Sequence, residues 1–331
     1  MTINIRTFPR AGLIGNPSDG FFGRTIAFTF DDFHVDLTLA ESDQLELHQA
    51  DVESVGFDNV EALIDAITRN GYGHHHGLLM ATIKRFHQYI GMNNSISSRS
   101  SFSLKLISNI PFQLGFAGSS AIIIACLRAL LVYYDVSIRP HALAKLALEV
   151  ETEELGIAGG LQDRVVQVFH LVYMDFDQKL MSGRGYGEYQ QLDPSCLPNL
   201  YVAYRPSLAE ESGVYHHDLR QRFNEGEPAV IDAIEQWKAL TLQSRDMMLK
   251  KETAGLGELM NQNFDLRASL YAIPPSSLAI INLARQVGAT AKFTGSGGAV
   301  IGTYRDESMF QQLCEAFFPL GVVTFKPSVN Q

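Results

Sequence analysis

The 331-residue chain contains little cysteine and no apolar run of the roughly 18 residues that a membrane-spanning helix requires. Its three cysteines, Cys126, Cys196 and Cys314, lie far apart, which argues against a disulfide framework or a thiolate metal site. The most apolar segment is interrupted by Arg128, and residues 1–10 carry arginines and a proline where a signal peptide would be apolar. We therefore expect a cytoplasmic protein in a reducing compartment.

The chain also lacks a basic excess, because 26 lysines and arginines face 36 aspartates and glutamates, giving a formal net charge of −10. Nucleic acids and anionic membranes both require a basic face, so neither is expected as a partner. An anionic ligand must then be held by a local arrangement of donors. The length predicts two domains, and a composition of 46% hydrophobic and 19% charged residues is typical of a globular protein.

The two commonest nucleotide-binding patterns, G-x-x-x-x-G-K-[ST] and G-x-G-x-x-G, are absent from the chain. Three other glycine-rich segments are present, at residues 9–23, 115–121 and 293–300. Each lies between a predicted strand and a predicted helix or strand. Taken singly, each is most simply a turn.

The middle glycine-rich segment, PFQLGFAGSSA at 111–121, leads directly into the apolar helix predicted over 121–134. Glycines allow backbone N–H groups to converge on phosphate oxygens, and the start of a helix adds positive potential. A serine hydroxyl at this position can also ligate Mg²⁺, which prefers hard oxygen donors. The alternative is that Ser119 or Ser120 only caps the helix.

The amphipathic helix predicted over 141–155 ends in a cluster of glutamates, where the helix dipole disfavours negative charge. These are Glu149, Glu151, Glu153 and Glu154. One interpretation is a solvated acidic face; the other is a nearby metal cation, with Glu151 at the edge of the apolar stripe. Further on, Asp163 is predicted in a glycine-flanked turn before a strand-like run, either as a turn-forming residue or as part of a site.

Hydrophobic periodicity predicts an α+β protein. Strands are predicted over 24–30, 33–39, 101–108, 170–176, 200–206, 291–295, 299–304 and 321–327, the first two as a paired unit. Helices are predicted over 59–70, 77–90, 121–134, 141–155, 227–250, 255–269, 276–288 and 307–318. Residues 177–199 are interpreted as a hairpin and linker, and the domains are predicted to span 1–190 and 191–331.

Three motifs in order resemble those of the GHMP kinases, a family that includes galactokinase, homoserine kinase and mevalonate kinase. They are RAGLIGNPSDG, PFQLGFAGSSA, and LMNQNFDLRASL followed by AKFTGSGGAVIG. The resemblance covers essentially the whole chain. It implies a ribosomal-protein-S5-like N-terminal domain and a ferredoxin-like C-terminal domain, with ATP and the acceptor meeting in the cleft between them. Two departures are an extra residue between Gly115 and Gly118, and Ser296 where alanine is common.

The resemblance also implies roles for particular residues. Asp163 corresponds to the catalytic aspartate, and Arg10 to an arginine near the transferring phosphoryl group. Ser120 and Glu151 correspond to Mg²⁺ ligands, and Asp19 to a residue that contacts sugar hydroxyls. Phosphoryl transfer requires charge neutralisation and an oriented acceptor, which these residue types can supply.

Further contacts are expected around these residues. The expected ATP contacts are Gly115, Ala117, Gly118, Ser119, Ser120 and Ala121. The expected substrate contacts, besides Asp19, are Arg24, Gly295, Ser296 and Gly297. The polar segment 86–100 is a candidate for bordering the adenine.

Within the family, the segments GLIGNPSDGFFGRTIAFTF, GLQDRVVQVFHLVYMDF and SGVYHHDLRQRF resemble the glucuronokinase branch. This implies phosphorylation of D-glucuronate at its anomeric hydroxyl, giving the 1-phosphate. The substrate carboxylate then needs a donor, for which arginine is best suited. The candidates are Arg10, Arg164, Arg24, Tyr72 and one of His74 to His76.

Other functions stay open at this point. The acceptor could be galacturonate, a heptose phosphate, a neutral sugar or mevalonate, and a non-catalytic binding module on the same fold is a further alternative. Adjacent histidines cannot all face one ion, so 74–76 is not expected to bind a metal. The sequence leaves the oligomeric state open.

Overall fold

The structure is a computed structural model that describes residues 1–73, 75–92, 101–157, 160–208 and 216–329. The chain divides into two compact units, each assembled from separate stretches. The first unit comprises 1–9, 33–110 and 118–168, and the second comprises 10–32, 111–117 and 169–331. These are units of packing, and the division into functional domains at residue 190 stays a prediction.

The strands are β1 (Thr2–Thr7), β2 (Arg10–Ile14), β3 (Arg24–Thr29), β4 (Val35–Glu41), β5 (Leu45–Gln49), β6 (Val55–Phe57), β7 (Phe102–Ser108), β8 (Val172–Asp175), β9 (Glu188–Gln191), β10 (Leu200–Tyr204), β11 (Lys292–Phe293), β12 (Ala299–Thr303) and β13 (Val323–Phe325). The helices are α1 (Val60–Asn70), α2 (Gly77–Met92), α3 (Gly118–Tyr133), α4 (Pro140–Glu149), α5 (Gln162–Phe169), α6 (Gln178–Arg184), α7 (His216–Asn224), α8 (Pro228–Lys250), α9 (Leu256–Leu270), α10 (Pro275–Gln286) and α11 (Glu307–Phe317).

The first unit is built on a five-stranded sheet in the order β1-β4-β7-β5-β6. Its pairs are antiparallel except for β5 with β7, which is parallel. Helix α3 packs on β1 and β4, and α2 and α4 pack on α3. Because α3 has sheet on one side and helices on the other, it is apolar on almost every face, as its sequence predicted.

The second unit contains two four-stranded sheets, in the orders β2-β3-β8-β9 and β11-β12-β10-β13. Helices α8 and α9 pack on each other; α8 also contacts β2 and β3, and α9 contacts β2 and β11. Trp237 of α8 is fully buried, and its indole Nε1 donates a hydrogen bond to the carbonyl of Asn263 at 3.1 Å. This bond satisfies the polar atom of a large core side chain.

Most predicted elements and the α+β class are confirmed, with three corrections. Strands β3 and β4 exist, but they belong to different sheets and do not pair with each other. Residues 162–169 form helix α5 where a turn and a strand were predicted, and the predicted hairpin at 177–199 begins with the short helix α6.

Tertiary contacts explain why the β-branched run after Asp163 is helical. Helix α5 buries Gln162, Val165 and Val166, which share one helical face at i, i+3 and i+4 spacing. The Gln167 amide donates to the carbonyl of Phe8 at 2.7 Å. Burial on the helical face outweighs the strand preference of the valines.

No helix among the described residues combines the length and the apolar character needed to cross a membrane.

Gly302 of β12 lies where an added side chain would disrupt the packing of the second unit. A Cβ atom at this position would lie 1.7 Å from the carbonyl oxygen of Thr290. The hydroxyl of the fully buried Tyr201 donates to that same oxygen at 2.8 Å and restrains it. We expect Gly302→Ala to lower the free energy of unfolding by at least about 2 kcal/mol, because neither neighbour can move aside.

The matched control is Gly183→Ala in α6, where an added Cβ would meet nothing within 4 Å. That change should leave stability equal or slightly higher, because alanine favours a helix over glycine by about 0.5–1 kcal/mol. Urea unfolding of both variants measures the difference. Equal stabilities would contradict the close approach seen at Gly302.

Candidate active site

The three glycine-rich segments meet within the second unit through their backbones. The Arg10 amide donates to the carbonyl of Phe116 at 2.9 Å, and the Gly12 amide donates to the carbonyl of Thr294 at 2.9 Å. A Cβ at Gly12 would lie 2.5 Å from the Thr294 oxygen, and one at Gly295 would lie 2.7 Å from the carbonyl oxygen of Gly115. Only glycine permits this approach.

Three buried cations hold these segments together, and we call them the cation cluster: Arg10, Arg267 and Lys292. Each is at most 3% exposed. Their Nη and Nζ groups donate to backbone carbonyls and to one side-chain amide. Arg10 Nη1 donates to the carbonyls of Gly115 and Thr294, both at 2.9 Å. Arg267 donates to the carbonyls of Gly295 at 2.8 Å and Ser296 at 2.5 Å. Lys292 Nζ donates to the carbonyls of Gly12 at 2.8 Å and Phe293 at 2.6 Å, and to Asn16 Oδ1 at 2.6 Å.

Those bonds orient the peptide planes of the glycine-rich segments. In a trans peptide the C=O and the following N–H point in opposite directions. Because the carbonyls of Gly115, Gly295 and Ser296 face the cation cluster, the N–H groups of the next residues point away from it. Backbone N–H groups presented in this way form anion-binding concavities.

The loop before α3 has the backbone expected of such a concavity. The φ angles of Gln113, Gly115 and Ala117 are +55°, +74° and +58°, so every second residue is left-handed. Alternating handedness makes successive N–H groups converge. Ala117 lies between Gly115 and Gly118, where the motif departs from the usual family pattern, and its left-handed φ is uncommon for a non-glycine residue.

The predicted sugar-contacting residue, Asp19, lies in a 3₁₀ turn over Ser18–Phe21 and is 2% exposed. The turn is closed by Ser18, whose hydroxyl donates to the carbonyl of Arg24 at 3.0 Å and accepts from its amide at 3.1 Å. A Cβ at Gly23 would lie 2.2 Å from the Ser18 hydroxyl, so the closure depends on glycine.

Arg24, one of the candidate carboxylate donors, is engaged across the sheet. Its Nε donates to the carboxylate of Asp175 at 2.6 Å, and the two residues are cross-strand neighbours on β3 and β8. Burial alone would lower the pKa of Arg24, but the hydrogen bond and the charge of Asp175 leave it raised. A substrate carboxylate at Arg24 would have to compete with this internal partner.

A second set of predicted residues meets within the first unit. The Ser119 hydroxyl donates to Glu151 Oε1 at 2.8 Å, and the Ser120 hydroxyl lies 3.5 Å from the same oxygen. The other oxygen, Oε2, is paired with Arg164, and both side chains are at most 3% exposed. Glu151 therefore gathers two hydroxyls at the start of α3 and is held by a buried guanidinium.

The acidic end of the predicted helix 141–155 is neither solvated as a whole nor continuous α-helix. Residues Val150–Glu154 form a π-helical turn, a feature frequent at functional sites. Each of the four glutamates has a cationic partner. Arg85 pairs with Glu149 at 2.8 Å and with Glu153 at 2.9 Å. Lys84 pairs with Glu154 at 2.7 Å, and Arg164 pairs with Glu151. Cations from α2 and α5 pair with all four glutamates, and the interpretation as a solvated acidic face holds for the exposed Glu153 alone.

The oxygen donors around Glu151 fit a divalent ion. Mg²⁺ is commonly bound by one or two carboxylates together with water and phosphate oxygens. Glu151 Oε1 and the hydroxyls of Ser119 and Ser120 converge within hydrogen-bond distance, as such a site requires. In the described part of the chain, no three His, Cys, Asp or Glu side chains come together. Remaining ligands would therefore come from water and nucleotide.

Asp163 lies in the first turn of α5, immediately before Arg164, and is partly exposed. The helix carrying it is fixed, since the Gln167 carbonyl accepts from Arg128 at 2.9 Å and Gln167 also bonds to Phe8. These bonds fix the later part of α5, the helix whose first turn carries Asp163.

The remaining candidate carboxylate donors are Tyr72 and the histidines at 74–76, of which Tyr72 and His76 have internal partners. The Tyr72 hydroxyl bonds to Glu154 and accepts from Lys84 at 3.1 Å. His76 Nε2 lies 2.9 Å from the carbonyl of Glu53. His75 is exposed, and His74 lies outside the described residues, as does the predicted adenine-bordering stretch 93–100.

Sequence reasoning missed two members of the cation cluster, Arg267 and Lys292. Arg267 lies in a quoted motif segment, but nothing in its spacing marks it as buried. A lysine in a short strand is ordinarily solvent-facing. No local pattern indicates the three oxygen acceptors that enclose Lys292 Nζ.

Comparisons with known proteins agree with these observations. Residues 77–170 match the family model GHMP kinases N terminal domain, and residues 246–319 match GHMP kinases C terminal. The chain is 40% identical over 304 residues to probable glucuronokinase 2 of Arabidopsis thaliana, covering 89% of this chain and 82% of that protein. It is 37% identical to glucuronokinase 1 of the same plant, covering 98% and 93%. The crystal structure of Methanococcus jannaschii mevalonate kinase aligns with a TM-score of 0.78 at 20% identity, covering 100% of this chain and 99% of that one.

The cation cluster makes stability depend on pH through Lys292. Burial lowers the pKa of Lys292 well below its usual 10.5, and the guanidinium groups of Arg267 and Arg10 lower it further. Between the lowered folded-state pKa and 10.5, the unfolded chain binds a proton that the folded chain lacks. The free energy of unfolding should therefore rise with pH in that window, by up to about 1.4 kcal/mol per unit.

Lys292→Met removes the titrating group at similar volume, so its stability should lack this rise. Urea unfolding of wild type and variant, from neutral to alkaline pH, measures the gap, which should shift in favour of wild type as pH increases. Lys105→Met, at an exposed position of β7, controls for the introduction of methionine. Parallel pH profiles for wild type and Lys292→Met would contradict a lowered pKa.

Proposed function

This chain belongs to the GHMP kinase family, and on that premise we propose that it phosphorylates D-glucuronate with ATP at the anomeric hydroxyl, giving glucuronate 1-phosphate. Family membership makes it a phosphotransferase acting on a hydroxyl group. The similarity to glucuronokinases, at 37–40% identity over most of the chain, supports a sugar acid as acceptor and is the observation that carries the proposal.

In this proposal, ATP phosphates bind the segment 115–121. The left-handed φ angles at Gly115 and Ala117 turn backbone N–H groups toward a common point, and α3 begins at Gly118. The start of a helix favours anions. Ser119 and Ser120 lie in its first turn. The cation cluster contributes by fixing the carbonyl of Gly115, so the loop needs no reorganisation when phosphate arrives.

We assign the divalent ion to Ser120 and Glu151, with Ser119 adjacent. Mg²⁺ would neutralise charge on the phosphate oxygens during transfer. The buried Arg164 holds the Glu151 carboxylate in place through Oε2, which leaves Oε1 directed at the two serine hydroxyls. Arg164 is thus better explained as a positioning residue than as the donor for a substrate carboxylate.

Asp163 is the proposed acceptor of the hydroxyl proton. A positioned carboxylate orients the attacking hydroxyl and takes its proton as the bond to phosphorus forms. Asp163 lies in the first turn of α5 and is partly exposed, as a residue that must reach substrate requires. Arg10 adds positive charge beside the phosphate loop while its bonds to Gly115 and Thr294 hold the loop's shape.

A substrate panel tests the proposal as a whole. We expect ADP release to be fastest with glucuronate when glucuronate, galacturonate, glucose, galactose and mevalonate are compared at equal concentration. A site that pairs a carboxylate should favour the acid over glucose, because glucose leaves the donor without its anionic partner. Phosphorus NMR of the product checks the anomeric position. Preference for a neutral sugar or mevalonate would refute the proposal, galacturonate would correct only the C4 stereochemistry, and no ADP release with any acceptor would favour a binding module.

The role of Asp163 is tested by Asp163→Asn, which keeps the shape and removes the charge. Turnover should fall by about 10²–10⁴-fold, while ATP binding measured by calorimetry stays near wild type. Asp65→Asn, at an exposed position on α1, controls for the loss of one carboxylate. Near-normal turnover of Asp163→Asn would remove it from the mechanism.

The metal assignment predicts a difference between two neighbouring serines. Ser120→Ala should raise the Mg²⁺ concentration that gives half-maximal rate, and Ser119→Ala should raise it less. Thermal melting of both is measured in parallel, since either change can cost about 1 kcal/mol as a lost helix cap. The reverse order would move the ligand to Ser119, and an unchanged Mg²⁺ dependence in both would refute the assignment.

A further inference from the structure

A second arginine, on helix α7, lies at the turn that carries Asp19. Arg220 Nη2 donates to the carbonyl of Gly20, and its guanidinium lies 4.4 Å from the ring centroid of Phe21. Gly20 and Phe21 follow Asp19 directly in the same 3₁₀ turn. The guanidinium therefore covers this turn.

The position of Arg220 is fixed by packing around it. Its neighbour Leu219 is fully buried in a cluster with Phe21 and Trp237. Phe21 also contacts Phe223, one turn further along α7, with ring centroids 5.2 Å apart. Anchoring of the helix on both sides of Arg220 limits where its guanidinium can lie, and the Phe21 ring is close enough for a cation–π contact.

The Arg220 side chain is exposed, so an incoming anion can reach its guanidinium, although the nearby Asp19 carboxylate weakens the attraction for that anion. Burial lowers the pKa of Arg220, and the nearby Asp19 carboxylate opposes that shift. The guanidinium carries five N–H donors, and one of them is used by Gly20, so a two-bond contact with a carboxylate remains within its capacity.

The other candidates within the second unit have internal partners. Arg24 is paired with Asp175 at 2.6 Å, and Arg10 is 3% exposed and bonded to two carbonyls. A sugar acid carries its carboxylate and its hydroxyls on one ring. A donor for the carboxylate must therefore lie within one sugar's length of the residue that contacts the hydroxyls.

We propose that Arg220 recognises the carboxylate of the sugar acid and sets the preference for acids over neutral sugars. This rests on the proposed function, including the role of Asp19 as a hydroxyl contact. Arg220 then acts as a specificity-determining residue that binds substrate remote from the reacting atoms. Its loss should weaken binding of the acid and leave the chemical step largely intact.

The test compares glucuronate with glucuronamide, which keeps the ring and hydroxyls and replaces the carboxylate by a neutral amide. For Arg220→Gln we expect the ratio of kcat/KM for glucuronate to that for glucuronamide to fall by about 10- to 100-fold, mostly through KM. Arg220→Lys should retain part of the preference, since it keeps the charge and loses the planar fork.

The matched control is Arg184→Gln. Arg184 also stacks on an aromatic ring, with 4.8 Å to the centroid of Tyr186, and donates to backbone carbonyls at 3.1 and 2.8 Å. Its variant should keep the wild-type ratio. Thermal melting of each variant shows whether the fold is retained.

Three outcomes would overturn the proposal. An unchanged kcat/KM for both substrates in Arg220→Gln would exclude recognition of the carboxylate. An equal loss on both substrates would show that Arg220 only braces the turn at Gly20. If the wild type does not phosphorylate glucuronate, the proposed function fails together with this inference, whereas an active wild type with an unchanged variant ratio refutes Arg220 alone.

Discussion

The second unit depends on positive charge buried against backbone carbonyls. Arg10, Arg267 and Lys292 lie almost entirely out of water, where an uncompensated charge would be very costly. Carbonyl oxygens of the three glycine-rich segments, together with the side chain of Asn16, supply the compensation. The loop carbonyls replace water around the buried cations, and the cations in turn hold the loops in place. A protein of net charge −10 thereby concentrates positive potential where anionic phosphate is proposed to bind.

The first unit contains an excess of negative charge at the C-terminal end of helix α4. Glutamates at 149, 151, 153 and 154 follow an α-helix whose dipole disfavours them there. Cations on neighbouring helices neutralise each one, and the π-helical turn carries Glu151 into the interior. Of this cluster, the buried Glu151 alone is assigned a catalytic task; its neighbours tie α2 to the turn that carries it.

Sequence periodicity predicted most elements because their burial follows the helical or strand repeat closely, as in α3. It failed where distant contacts decide the local structure. The valines after Asp163 favour a strand in isolation, yet buried contacts on one helical face make the segment helical. The predicted pairing of β3 with β4 was wrong, because strands that follow each other in sequence can join different sheets. In the candidate site, motifs indicated Ser120 and Glu151, which do converge. Lys292 and Arg220 could not be found in this way, because the residues that they contact are distant in the sequence.

Several direct contacts between one glycine-rich segment and another join backbone atoms to backbone atoms, and this limits which substitutions the segments tolerate. At Gly12, Gly295 and Gly302 an added methyl group would collide with a carbonyl oxygen, so these positions admit almost no alternative. At Ser296 the carbonyl is the group held by Arg267, and the side chain carries none of that contact. The family's usual alanine and the serine found here can both make that contact, because it uses the backbone alone. The site is thus specified more by where side chains are missing than by which ones are present, and substitutions should accumulate between the glycines faster than at them.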